Sequence, residues 1–229
     1  NIEGTYMNVT STGNYSGGIF GYTDGRLTNV SVYQYSKDGK KTGDEETSYL
    51  TKGNQNVGGA IGQYGGGGNT ASNLTTTNSK IQGNNYVGSN IGYGSGNGNT
   101  LIATGNTIEG NGNYIGGNVG YHGWTYNTVK SNNNTITGNN YVGGNIGGCG
   151  NSGENDLIAE NNKIKGNSYV GGCIGIGASY YTNLNNLRSN GANQEIIGVN
   201  HVGGVVGRVI GKAKNLKAED CLVTATGSY

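Results

Sequence analysis

One seven-residue phrase returns seven times along this chain of 229 residues. It reads Tyr15-Ser16-Gly17-Gly18-Ile19-Phe20-Gly21, then Asn56-Val57-Gly58-Gly59-Ala60-Ile61-Gly62. Four tyrosine-led copies follow, starting at Tyr86, Tyr114, Tyr141 and Tyr169, and the last copy starts at His201. The first glycines of successive phrases are 41, 30, 28, 27, 28 and 32 residues apart. Each unit adds two weak apolar segments, such as Leu101-Ile102-Ala103 and Thr107-Ile108-Glu109-Gly110. Clusters of Asn, Gly and Ser lie between them, and these residues tolerate the positive φ of tight turns. A period near 28 with three short strand candidates per unit predicts an all-β, parallel β-helix-like solenoid of about seven coils. With coils about 4.8 Å apart, the rod would be roughly 30–35 Å tall. The whole chain, 1–229, reads as one such domain.

Composition agrees with that reading and excludes others. Glycine supplies 48 residues, asparagine 37 and threonine 22, all poor helix formers. Proline is absent and glycine does not fall at every third position, which excludes collagen. The net charge is +1, so no basic excess exists to displace the counterions of a nucleic acid. No run of about 18 apolar residues is present, so no membrane insertion by a helix is expected. The chain opens at Asn1 without a charged-then-apolar leader, as a mature product or fragment would.

Stacking the phrases in register puts like on like. Tyr86, Tyr114, Tyr141 and Tyr169 would form an aromatic column ending at His201. Asn90, Asn118 and Asn145 would form an asparagine ladder followed by Cys173, bonded along the rod as in cross-β arrays. Val and Ile would form an aliphatic column inside. Glycine would lie on glycine, marking a sharp corner or a close backbone approach.

From Tyr86 to Gly147 the chain resembles the GLUG repeat of bacterial surface proteins. That repeat is written around Tyr-Val-Gly-Gly-Leu-Val-Gly, followed by an apolar-Ala-Thr-Gly step. Leu101-Ile102-Ala103-Thr104-Gly105 matches the step well and Ala225-Thr226-Gly227 in part. Asn or Cys replaces the usual Leu after Gly-Gly. The resemblance implies secreted or cell-surface repeats in adhesin-like proteins, and it supplies no catalytic site.

Several stretches break the rhythm. Residues 33–53 hold eight of the 27 charged side chains and read as an inserted loop or hairpin, with Asp38-Gly39 at its turn. Residues 179–194 hold a smaller insertion with Tyr180, Tyr181 and Arg188. Lys212 to Glu219 is the most helix-compatible segment, a short cap or the start of another coil. Cys149, Cys173 and Cys221 are odd in number and lack CxxC spacing, which favours buried free thiols.

No catalytic constellation stands out, and the sequence predicts no enzyme and no cofactor. His122 and His201 are the only histidines, too few for a His-rich metal site. The acids of the middle coils, Glu109, Glu154, Asp156 and Glu160, have no stacked acidic partners of the kind glycoside cleavage needs. Gly65-Gly66-Gly67-Gly68 is not followed by the Gly-Lys-Ser/Thr of a phosphate loop. Tyr121, His122, Trp124 and Tyr126 gather near one turn and form a candidate glycan-contact patch. An ice-binding face would need unbroken threonine rows, but aligned Thr107 and Thr135 give way to Lys163. The expected function is an extracellular structural or adhesive rod. Neither end has an obvious polar cap, so the expectation is either a piece of a longer chain of repeats or copies that stack end to end. A carbohydrate- or ice-binding module is the alternative.

Overall fold

The computed structural model describes residues 1–5, 7–33, 50–65, 70–150 and 153–227. Among these, every regular element is a β-strand, and the strands pair in parallel from coil to coil. The chain winds as a β-solenoid of about seven turns, each near 28 residues. One coil consists of Asn97–Thr104, Thr107–Gly110, Asn113–Gly116 and Val119–His122. The repeated phrase, counted in the sequence as one strand candidate, is thus two strands. The Gly-Gly-x step bends the chain between Gly116 and Val119.

Three sheets result. The first two strands of each coil belong to one long sheet. Its two arms are joined by Asn183–Gly198, a strand that runs through the corner, and by Lys212–Ala225 stacked upon it. The third strands build a seven-stranded valine sheet, from Ser16–Gly17 to Asn200–Gly203. The fourth strands build a seven-stranded isoleucine sheet, from Phe20–Thr23 to Val206–Val209.

Two separate apolar cores follow from the strand alternation. In one, Val57, Val87, Ile115, Val142 and Val170 pack with Ile81, Ile108, Ile136, Ile164 and Ile196. In the other, Ile61, Ile91, Val119, Ile146 and Ile174 pack with Leu74, Leu101, Val129, Leu157 and Leu187. Each coil therefore adds four aliphatic side chains to stacked columns, and most are fully buried. Burying each contributes about 1.5–3 kcal/mol, so a chain so poor in aliphatics still closes two cores.

Between the valine and isoleucine strands there are no side chains, only glycine. A methyl on Gly116 would stand within 3.0 Å of the Val119 and Asn145 carbonyl oxygens and the Gly147 nitrogen. A methyl on Gly147 would meet the backbone of Tyr114 and Ile115. The same crowding recurs from coil to coil, so the two sheets meet backbone on backbone.

The irregular stretches resolve unevenly. Residues 34–49, most of the charged insertion, lie outside the described residues; its flanks are the strands Leu27–Tyr33 and Leu50–Lys52. The smaller insertion is a turn, with the Thr182 N–H donating to the Ser179 carbonyl, and a bulge between Asn190 and Gln194. Lys212 to Glu219 is strand, because Leu216 stacks on Leu187 and Ala218 on Ser189. Coil stacking outweighs its local helix preference there.

The seam yields a paired test. Gly116→Ala should lower unfolding stability by about 3 kcal/mol or more, since only backbone can yield to the new methyl. Gly123→Ala, with open space around its Cα, should stay within about 0.5 kcal/mol of the parent. Denaturant titration of both variants measures the difference.

Candidate functional site

An aromatic column runs from coil to coil. Tyr86 stacks on Tyr114 at 5.3 Å between centroids, Tyr114 on Tyr141 at 4.7 Å, and Tyr141 on Tyr169 at 5.1 Å. His201 closes it at 4.5 Å from Tyr169. Tyr93 and Tyr121 set their rings nearly perpendicular to these. The Arg208 guanidinium lies 5.7 Å from the Tyr169 ring. Stacking along the rod covers the ring faces and turns the rims outward, so the inner rings have no free face for a sugar. Burial, then the phenols of Tyr141, Tyr86 and Tyr121, push Tyr114 up to about 12, and burial raises Tyr121 likewise. Tyr114 and Tyr121 thus present neutral phenols, not phenolates.

The four stacked tyrosines sit in the left-handed backbone region, with φ of 55° at Tyr86, 63° at Tyr114, and 57° at both Tyr141 and Tyr169. Asn56 and His201 share the conformation at φ 53°. For a bulky side chain that conformation costs roughly 1–2 kcal/mol. An aromatic pair contributes about 0.5–1.5 kcal/mol, enough to offset much of that strain.

The asparagine ladder points inward, fully buried. The Asn90 amide donates to Asn118 Oδ1 (2.7 Å) and to the Ile102 carbonyl (2.9 Å). The Asn118 amide donates to Asn145 Oδ1 (3.3 Å) and to the Lys130 carbonyl (2.8 Å). Cys173 continues the column, its thiol donating to the Arg188 carbonyl at 3.1 Å.

A second buried ladder, not singled out in the sequence, runs up the corner of the long sheet. The N–H of Ser79 donates to Asn106 Oδ1, that of Asn106 to Asn134, that of Asn134 to Asn162, and that of Asn162 to Gln194 Oε1. The side-chain amides of Asn106, Asn134 and Asn162 cap the carbonyls of Thr76, Ala103 and Ser131. The regular 28-residue spacing of Asn106, Asn134 and Asn162 was its signal, hidden by the abundance of asparagine.

The candidate glycan patch does not form as a unit. His122 and Tyr126 are fully buried, Tyr121 is held in the tyrosine cluster, and only Trp124 is exposed, at 47%. The correction has a steric cause. The Tyr126 ring fills the room left above Gly94 and Gly98, the side-chain-free positions one coil earlier. His122 falls in the inward column between Gly94 and Cys149 and packs edge-on against Tyr126 at 4.4 Å. Tyr180 and Tyr181, which the sequence places in the smaller insertion and not in the patch, are 84% and 80% exposed on the Ser179–Thr182 turn.

A shallow groove of about 510 Å³ is lined by Lys52, Asn54, Gln82, Asn84, Glu109 and neighbours. Gln82 donates to Glu109, which also lies 3.9 Å from Lys80. Among the described residues, no three His, Cys, Asp or Glu gather as metal ligands, and no helix is long and apolar enough to cross a membrane. The row Thr107, Thr135, Lys163 is aligned as expected, and the lysine interrupts it. Comparison with protein-family models, with curated proteins and with solved structures finds no match.

Two outcomes follow from the buried groups. Burial holds His122 near pKa 3, against a weaker opposing hydrogen bond with the Trp124 backbone. The unfolded chain takes up that proton near pH 6.5. Stability should therefore fall as pH drops from 6.5 toward 3, by up to about 1.4 kcal/mol per unit. His122→Cys, the residue found one coil later, should remove that part of the slope; identical pH profiles of parent and variant would contradict it. Cys149 and Cys173 are buried free thiols, and burial pushes Cys173 up to about 12, whereas Cys221 is half-buried. Iodoacetamide at pH 8 should modify Cys221 in the native protein and the other two only after unfolding, as mass spectrometry can read.

Proposed function

We propose that this protein is a segment of an extracellular structural or adhesive rod. The observation that carries the reading is where the polar and aromatic side chains are spent. Asparagines and tyrosines pair with their own equivalents one coil away, and glycines with glycines, and no three His, Cys, Asp or Glu gather as metal ligands among the described residues. The resemblance to GLUG repeats supports a secreted or cell-surface location. Self-association of rods through their ends belongs to the same reading.

A second reading, a carbohydrate-binding module, is favoured by the exposed rings of Trp124, Tyr180 and Tyr181. Tyr180 and Tyr181 expose most of their area to solvent, and Trp124 about half.

Negative-stain microscopy at rising protein concentration separates the two. Rods lengthening in units of the single particle are expected; uniform single particles at the highest concentration would refute self-association. In a glycan-array screen the parent should give no signal. A signal abolished by the triple Ala variant of Trp124, Tyr180 and Tyr181 would replace the rod reading with the carbohydrate one.

A further inference from the structure

The tyrosine column holds oxidisable rings in pairs and keeps them within reach of solvent. Tyr86, Tyr114, Tyr141 and Tyr169 are each half-buried. The nearest pair is Tyr114 and Tyr141, with centroids 4.7 Å apart and planes 20° apart. Tyr86 and Tyr114 are 5.3 Å apart, and Tyr141 and Tyr169 are 5.1 Å apart. The strands beneath fix the pairing, because Asn113 lies opposite Asn140 and Ile115 opposite Val142. The two rings therefore face each other for as long as the coils stay stacked.

Tyr141 also sits where a second aromatic column breaks. The isoleucine sheet sets Tyr93 edge-on against Tyr86, and Tyr121 edge-on against Tyr86 and Tyr114. The next positions of that column are Gly148 and Ile176. Among the described residues no perpendicular ring is set against Tyr141, so none stops it from turning. Tyrosine χ2 is a soft sp³–sp² torsion. Rotation about it swings stacked rings toward an edge-to-edge arrangement. With the ring axes one coil spacing apart, about 4.8 Å, that rotation brings their ortho carbons toward each other.

We propose that Tyr114 and Tyr141 are the site of an oxidative cross-link, a dityrosine bond that joins one coil to the next. The co-reactant is a one-electron oxidant of the haem-peroxidase class, supplied with hydrogen peroxide. Each phenol gives one electron to the oxidant and its proton to water, which leaves a phenoxyl radical. The two radicals form a carbon–carbon bond between ortho positions. The hydrogen on each joined carbon then passes to oxygen and restores both phenols. Two electrons and two protons have left the pair, and one hydrogen peroxide takes them up to become two waters. Holding the rings together replaces the encounter that free phenols need. Cys149, Cys173 and Cys221 are free thiols, so the bond gives these coils a covalent tie that cysteine does not. It forms within one chain and does not depend on rods associating.

Oxidation of the intact chain in dilute solution by a haem peroxidase with hydrogen peroxide tests it. Trypsin then cuts after Lys80, Lys130 and Lys163, which leaves Tyr114 in residues 81–130 and Tyr141 as the one tyrosine of residues 131–163. Mass spectrometry should find these two peptides joined with the loss of two hydrogens, and fragmentation should place the bond at Tyr114. The yield should not change on tenfold dilution, because both partners belong to one chain. Unfolding in urea before oxidation should lower it at least tenfold. Tyr141→Phe keeps a ring in the stack and should abolish the joined peptide. Tyr22→Phe, at an exposed ring of the first coil, should leave it unchanged. Coupling confined to exposed rings such as Tyr180 and Tyr181 would overturn the proposal. So would a yield that falls with dilution, equal yields from folded and unfolded chains, or a bond from Tyr141 to any other tyrosine.

Discussion

Two sheets can approach to backbone contact only where neither carries a side chain. The glycine seam between the valine and isoleucine strands meets that condition in coil after coil, and the remaining architecture follows from it. With the seam closed, valine can only face one core and isoleucine only the other. The phrase must then bend within three residues. The residue before valine takes a left-handed conformation, and its ring stands at the surface above its predecessor. A side chain at the seam would separate the sheets and disturb both cores together. Glycine loses more backbone entropy on folding than any other residue, so the seam costs stability that the paired cores must return.

The ladders make that return possible in a chain with so few large apolar residues. A buried amide without partners costs roughly 1–3 kcal/mol. A column of identical amides lets an inner member accept from one neighbour and donate to the next. Asn118 shows the economy: one side chain satisfies Asn90, Asn145 and the Lys130 carbonyl. The tyrosines follow a different logic. Asn56 takes the same left-handed position in the second coil, so the backbone does not require an aromatic there. Ring stacking is what tyrosine adds, and it operates only because the next coil presents another ring at the same height.

The period, the strand character, the tyrosine column and the first asparagine ladder were legible because each repeats an unusual residue at a fixed interval. What the sequence concealed was direction. Whether Asn118 points in or out depends on the bend after Gly116, which alternation alone cannot place. His122 and Tyr126 read as surface residues because they lie near a turn with Trp124. Their burial depends on Gly94 and Gly98 one coil earlier, 28 residues away in both cases. The corner ladder of Asn106, Asn134 and Asn162 was hidden by composition, since one asparagine among 37 carries little information. In a solenoid the neighbour that decides a side chain's fate is one period distant, so local pattern reading fails where large and small residues alternate between coils.

The same dependence bears on where function can reside. A position inside a ladder is constrained by two copies of itself, and a substitution there is judged by the fit to its neighbours above and below. A reactive group needs the opposite, an environment unlike that of its equivalents. Departures from the repeat are therefore the informative places. His122 and Tyr126 depart inward, and their neighbours absorb them. The Ser179–Thr182 turn and Trp124 depart outward and carry exposed rings.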